Sequence, residues 1–335
     1  MIWLNLLITG GGGYLGCVLI PLLLEQGHNI TCMDKLFFGE DPLKSFIDEI
    51  KFLKEDIRTF NPSILNDIDV CINLAAISQP DQAEVINPKL FYEINHYGCV
   101  RLAKLCKEYN IKRFIFTSTC SVYGFQNELM SETSPPKALE AYGKSKLLAE
   151  QEILPLADEN FVVTILRPAT MYGFSPKMRF DLVVNGMTWA LYKFGKINVM
   201  RDGTQWRPNV HVKDVALLIS ELLEISENKI QREVFNVGSN EQNYQILPLA
   251  KMVGDSIEDN YELSWYGEPD TRSYKVDFSK LQNILGFNIR YSVEDAVKKI
   301  YNKLSDKKTV KDDKTSVISW YKKLSEEGYI KSINI

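Results

Sequence analysis

The sequence predicts a doubly wound α/β fold, a parallel sheet with helices on both faces, joined to a smaller C-terminal lobe. Three observations carry this expectation. In the first half, short apolar runs alternate with helix-length segments, the order that a parallel sheet accommodates. A glycine cluster, ITGGGGYLG (8–16), stands between the first apolar run and the first helical one. After residue 170 the alternation lapses into clusters of Gly, Pro and Trp, as expected where a lobe is assembled from separate segments. A chain of 335 residues exceeds one typical domain and buries a large core.

Taken in order, WLNLLIT (3–9) reads as a short apolar strand, YLGCVLIPLLLEQG (14–27) as a helix and NITCMD (29–34) as a strand. Pro21 falls inside the first helix, where it removes a backbone bond and bends the axis. DVCINLAA (69–76) is the next strand, followed by a long helix over 88–110 and the strand KRFIFTSTC (112–120). A helix over 140–159 and the strand FVVTILRP (161–168) complete the pattern. The domain reading is a dinucleotide-binding unit over 1–172 with a returning segment near 205–237, and a substrate lobe from 173–204 and 238–305. The tail, 306–335, opens on a charged run and ends in helical apolar spacing, which predicts an appended surface helix.

The net charge of −4 leaves no basic excess for a nucleic acid or an anionic membrane. Six cysteines, at 17, 32, 71, 99, 106 and 120, lie mostly in apolar runs without CxxC or Cys/His spacing, so they read as reduced core thiols and no metal site is expected. The first apolar run lacks a basic leader and a cleavage site, and no stretch reaches the roughly 18 to 20 apolar residues of a membrane helix. A cytoplasmic protein without membrane insertion is the expectation.

The glycine cluster is the first piece of chemistry. Glycines allow a tight turn and a close backbone approach to a pyrophosphate, whose charge then faces the amides of a helix N-terminus. Gly11, Gly13 and Gly16 match GxGxxG, and Gly10, Gly13 and Gly16 match the shifted register Thr9-Gly10-x-x-Gly13-x-x-Gly16. With a strand before, a helix after and Asp34 ending the next strand, the arrangement is a Rossmann dinucleotide cradle made by Gly10, Gly13, Tyr14, Leu15 and Gly16. A carboxylate at Asp34 accepts from a ribose 2′-hydroxyl and repels a 2′-phosphate, favouring NAD over NADP.

The second piece is AYGKSK, with Tyr142 and Lys146 four residues apart on one helix face. A free tyrosine titrates near pH 10. An ammonium about 4 Å away, at an effective dielectric near 20, supplies roughly 4 kcal/mol, about three pKa units, enough to bring a phenol near neutrality.

Together with KEDIR, NLAAIS, STCSVYG, RPATMYG, WRPNVHVKDVA and FNVGS, these motifs resemble the extended short-chain dehydrogenase/reductases, the nucleotide-sugar epimerase and dehydratase family, over almost the whole chain. The resemblance implies NAD as cofactor, a nucleotide-diphosphate sugar as substrate, Tyr142 as catalytic base, Lys146 as its partner and a ribose contact, and Thr119 orienting the reacting oxygen. It further implies that Asp56 and Ile57 flank the adenine, that Ala75 and Ala76 border the phosphate-to-nicotinamide stretch, and that helices 88–110 and 140–159 pair in a homodimer. Arg179, Asn185, Arg207 and Arg272 stand where relatives bind the nucleotide and diphosphate. Thr170 departs from the pattern, replacing an asparagine.

STCSVYG decides among reactions. Dehydratases of the family follow the threonine with an acid pair; here those positions hold Cys120 and Ser121. Neither a neutral thiol nor a serine hydroxyl suits elimination of water, and Cys120 reads as a small buried side chain, one place off the catalytic cysteine of the 3,5-epimerases. What remains is oxidation and reduction at one sugar carbon: a 4-epimerase or 4-oxidoreductase, in the setting of bacterial surface-polysaccharide synthesis. A 4,6-dehydratase, a 4-keto reductase and, from another class, a non-catalytic NAD sensor stand as alternatives.

Overall fold

The structure is a computed structural model that describes residues 3–78, 86–257, 260–267 and 273–333. Seven parallel strands form its central sheet: β1 (Asn5–Thr9), β2 (Asn29–Met33), β3 (Lys51–Leu53), β4 (Val70–Asn73), β5 (Arg113–Thr117), β6 (Val162–Pro168) and β7 (Glu233–Val237). Their order across the sheet is β7-β6-β5-β4-β1-β2-β3. The direction of winding therefore reverses between β1 and β4, and ligands of such sheets bind at that switch, outside the carboxyl ends of the strands.

The doubly wound parallel sheet is thus as the sequence predicts, and the strand side chains show why. Leu6 and Ile8 of β1 enter one apolar cluster while Leu7 enters another; Ile115 of β5 joins the first while Phe114 and Phe116 join the second. Strands buried on both faces read as continuous apolar runs. The observed strands and helices are trimmed at their ends relative to expectation. Helix α1 covers Gly16–Glu25, with Pro21 inside it. The edge strand β3 was not anticipated, its three residues being too few to stand out.

The expected helix over 88–110 is wound in two ways. It begins at Lys89, takes a π-helical path over Tyr92–Gly98 and becomes α2 over Cys99–Glu108. The π segment turns Asn95 toward the loop after β4: its Oδ1 accepts from Ile77 N–H at 2.8 Å and its Nδ2 donates to Ile77 C=O at 3.0 Å. Single π turns in helices often mark functional sites, and this one fixes a wall of the cavity described below. Helix α3 (Ala141–Ile153) carries the Tyr142/Lys146 pair.

Beyond the sheet, a third apolar cluster gathers Val184 and Met187 of α4 (Val183–Phe194), Leu249 and Val253 of α5 (Ile246–Asp255), and Val293 and Val297 of α6 (Val293–Ser305) around a parallel pair formed by Lys196–Met200 and Glu262–Tyr266. The helix expected in the tail is present as α7 (Val317–Glu326), but its apolar face is docked: Val317, Tyr321 and Leu324 are buried in the cluster that holds Leu7 and Phe116. All six cysteines are free and buried. Among the described residues, no helix is long and apolar enough to cross a membrane and no group of side chains could hold a metal ion.

Candidate active site

The loops that follow the first six strands of the sheet converge on one cavity. Gly10 to Gly16 come from the end of β1, Asp34 to Gly39 from β2, Glu55 to Ile57 from β3, Leu74 to Ser78 from β4, Thr117 to Ser121 from β5, and Pro168 to Met171 from β6. This is the crevice the strand order requires.

On the β1 side the backbone itself forms the wall. Gly10 has φ +71°, and a Cβ there would lie 2.7 Å from Ala75 N; a Cβ on Gly16 would lie 2.4 Å from the Gly11 carbonyl oxygen. No side chain fits at either place, so main chain is drawn together where the crevice meets the start of α1, the positive end of the helix. Half-buried Asp34 stands beside this turn, held by Gly12 N–H at 2.9 Å and Leu36 N–H at 2.6 Å. Burial pushes its carboxyl up, and those two amides pull it back. Tyr14, Leu15, Ile57 and Ala75 line the same end. Asp56 also faces the cavity, its carboxylate gripped by Arg58 at 2.8 Å and held below the usual range despite its burial. A turn without side chains at a helix start, with an acid beside it, fits a dinucleotide.

At the β5 side lie Thr119, Tyr142 and Lys146. Thr119 caps the short turn 120–123, its Oγ1 accepting from Ser121 N–H at 3.1 Å. Burial holds the Tyr142 phenol above its ordinary value, while a hydrogen bond with Thr119 and the charge of Arg179 lower it. The expected lowering by Lys146 is not what this geometry provides. Lys146 Nζ sits 4.4 Å over the Phe116 ring, and burial pushes the ammonium down while Cys99 and Glu150 favour the charge. The shared helix face is real, but the cation is steered inward to the aromatic ring beneath it.

Glu150, one more turn along α3, is buried and bound by Arg167, whose Nη2 lies 2.6 Å from Oε2; Ser118, next to Thr119, also donates to Glu150. Asn95, besides holding Ile77, donates to Ser145 Oγ at 3.3 Å, and Ser145 donates to the Tyr142 carbonyl at 2.8 Å. The first network ties its segment to β6, and the second ties α3 to the π-helical segment and the loop after β4. Sequence reading missed Asn95, since a polar residue mid-helix has no local signal for its partner.

Cys120 turns away from the cavity and donates to the Arg167 carbonyl at 3.0 Å, and burial pushes its thiol up. Ser121 faces the cavity instead. Among the described lining residues the carboxylates are Asp34, Glu55 and Asp56, all at the ends of β2 and β3.

The expected substrate residues separate. Arg179 lines the cavity, paired with Asp181 at 2.6 Å and donating to Ser78 Oγ at 2.9 Å. Arg207 lines a smaller hollow with Gly124 and Glu140, continuous with the main cavity through Ser121, Thr170 and Tyr274. Asn185 is not at the cavity. Its amide is spent on the protein, accepting from Gly173 N–H at 2.9 Å and donating to Tyr14 Oη at 3.1 Å and to the Arg179 carbonyl at 3.0 Å. It braces two cavity residues from behind. Arg272 lies outside the described residues. Lys177 and, from the tail, Val317 and Tyr321 line the cavity without having been anticipated.

Fold and cavity define a dinucleotide-binding α/β protein with a tyrosine, a lysine and a threonine at the far end of the cofactor crevice. The model of the NAD dependent epimerase/dehydratase family matches residues 6–238. The chain belongs to that family and is an enzyme with NAD as its cofactor. It is 27% identical over 322 residues to a UDP-glucose 4-epimerase from Lactobacillus helveticus, covering 88% of this chain and 95% of that one. A UDP-glucose 4-epimerase from Bacillus subtilis is 26% identical over 87% of this chain and 94% of its own. Among solved structures, a UDP-glucuronic acid 4-epimerase from Bacillus cereus, in complex with UDP-glucuronic acid and NAD, superposes with a TM-score of 0.79 at 25% identity, covering 90% of this chain and 99% of that chain. A dTDP-glucose 4,6-dehydratase from Streptomyces venezuelae shares the fold, with a TM-score of 0.78 at 21% identity over 90% of this chain and 97% of that chain.

Proposed function

We propose that this enzyme is a nucleotide-sugar 4-epimerase, acting on a nucleotide-diphosphate sugar in the making of surface polysaccharide. One observation carries the choice within the family: where a dehydratase's acid pair would stand, Cys120 turns away and Ser121 faces the cavity, and the carboxylates that line the main cavity, Asp34, Glu55 and Asp56, are all at the ends of β2 and β3. Elimination of water from a sugar needs an acid and a base of matched pKa at the departing groups, and that pair is missing there. Oxidation and reduction at one carbon needs less. The activities of the relatives and of the Bacillus cereus enzyme support the same reading.

In this reading the Gly10–Gly16 turn and Asp34 hold the cofactor, and bound NAD supplies reversible hydride transfer at the sugar carbon. Thr119 Oγ1 and Tyr142 Oη bracket the sugar C4 hydroxyl. Tyr142 takes the hydroxyl proton as the 4-keto sugar forms and returns it when the alcohol is restored. Lys146, one turn along the same helix and buried over the Phe116 ring, is the contact to the cofactor's ribose. Arg179 and Arg207 bind the substrate's anionic groups, for which planar guanidinium donors are suited. The enzyme works in the cytoplasm as a homodimer paired through the helices that contain Cys99–Glu108 and Ala141–Ile153.

Mass spectrometry of purified enzyme incubated with UDP-, GDP-, CDP- and dTDP-sugars tests this. A product of unchanged mass and shifted retention is expected. A product lighter by water makes the enzyme a dehydratase, and one lighter by two hydrogens makes it a dehydrogenase.

A further inference from the structure

The tail reaches across the cofactor crevice and is fastened on both sides of it. At its start, Asp312 and Thr315 cap one another, Phe180 N–H donates to Thr315 C=O at 2.8 Å, and buried Lys177 donates to Lys314 C=O at 2.7 Å. In α7, Trp320 Nε1 donates to Phe37 C=O at 2.6 Å, and the Tyr321 ring lies 5.4 Å from that of Phe38. At its end, Arg58 donates to Lys331 C=O at 2.9 Å, and Glu93 accepts from Ile333 N–H at 3.0 Å and from the Ser332 hydroxyl.

Those partners are not arbitrary surface. Phe37 and Phe38 follow Asp34, and Arg58 is the residue that grips Asp56, so the tail is tied to the two loops that hold the adenosine end of the crevice. Lys177 spans the gap: it lines the cavity, lies 3.8 Å over the Phe38 ring and holds the tail through its ammonium. Buried hydrogen bonds from charged donors are among the stronger ones. The tail itself lies beyond residue 238, where the match to the family ends, while its partners lie within the match.

We propose that residues 312–333 are part of the NAD site, a strap that closes the adenosine end of the crevice, with Tyr321 and Val317 as its inner surface. Cofactor and strap then hold each other in place, whichever reaction follows. By linkage, whatever the strap adds to NAD affinity, NAD adds to the closed strap.

Two measurements on the full chain test both sides of that linkage. Trypsin cleavage at exposed Lys322 and Lys323 reports opening of the strap, with cleavage at Lys251 of α5 as the internal reference. Saturating NAD is expected to slow tail cleavage relative to the reference by roughly tenfold, the equivalent of one good buried contact. The reciprocal measurement is release of NADH, followed by its fluorescence on chasing with excess NAD. Tyr321→Ala, which removes the inner surface, and Glu93→Gln, which loosens the far end outside the cavity, are each expected to speed release by a similar factor. Tail cleavage indifferent to NAD, or release rates unchanged in both variants, overturns the proposal. Should Tyr321→Ala not fold, the cleavage ratio in the unaltered chain and Glu93→Gln still decide it.

Discussion

Tyr142 shows how much a single residue depends on its surroundings. Its phenol is raised by burial and lowered by Thr119 and Arg179, so its hold on the proton is set by its site. Tyr142→Phe keeps the ring and removes the hydroxyl. Turnover of the sugar is expected to fall by about 10²- to 10⁴-fold, while NADH binding, read by fluorescence titration, stays within about twofold. Cys120→Ser is expected to leave turnover nearly unchanged, because the thiol points to the Arg167 carbonyl and not to the cavity. Loss of activity in that variant, with NADH binding intact, restores the cysteine to the chemistry. At the cradle, Gly16→Ala places a methyl group 2.4 Å from the Gly11 oxygen. The turn has to open, and NADH affinity is expected to drop by an order of magnitude or more.

Elements bring these residues together, and two of them do it through buried polar side chains. Asn95 of the π-helical segment makes two hydrogen bonds to Ile77 and one to Ser145. Asn95→Leu leaves the Ile77 amide and carbonyl buried without partners, and a loss of about 2 to 3 kcal/mol is expected in urea unfolding. Helix α3 places Tyr142, Lys146 and Glu150 at successive fours, and Glu150 anchors that face to β6 through Arg167. Removing one member of a buried ion pair strands the other charge, so Glu150→Leu is expected to cost about 3 to 5 kcal/mol. Strand and helix positions for these elements were legible from apolar run length and glycine punctuation. The π winding was not, since it reflects the loop that Asn95 has to reach.

At the scale of the whole molecule, one titrating group joins the lobes of the site to the tail. Burial and the neighbouring Arg179 bring the Lys177 amine down to about 7 from 10.5. A lysine whose folded pKa is lowered binds fewer protons folded than unfolded between those two values, so stability rises with pH across that window and is flat with respect to this group below it. Lys177→Met removes this pH dependence, so as pH is lowered from 10 to 7 the melting temperature of the unaltered protein is expected to fall relative to that of the methionine variant. A gap that does not change over this range contradicts the assignment of that titration to Lys177.

The sequence by itself determined the parallel α/β sheet, the glycine cradle, the acid at the end of β2 and the tyrosine–lysine helix face. Each of these rests on local rules: apolar periodicity, the absence of a Cβ, and residues four apart on a helix. Only the tertiary structure decided which polar groups the cavity keeps. Asn185 turned its amide to Tyr14 and Gly173, Lys146 settled over Phe116, and a tail with the look of a surface helix became a wall of the cavity. Those outcomes depend on partners far away in the chain, and a buried donor or acceptor takes whichever partner the packed fold brings within reach, a choice that no local pattern encodes.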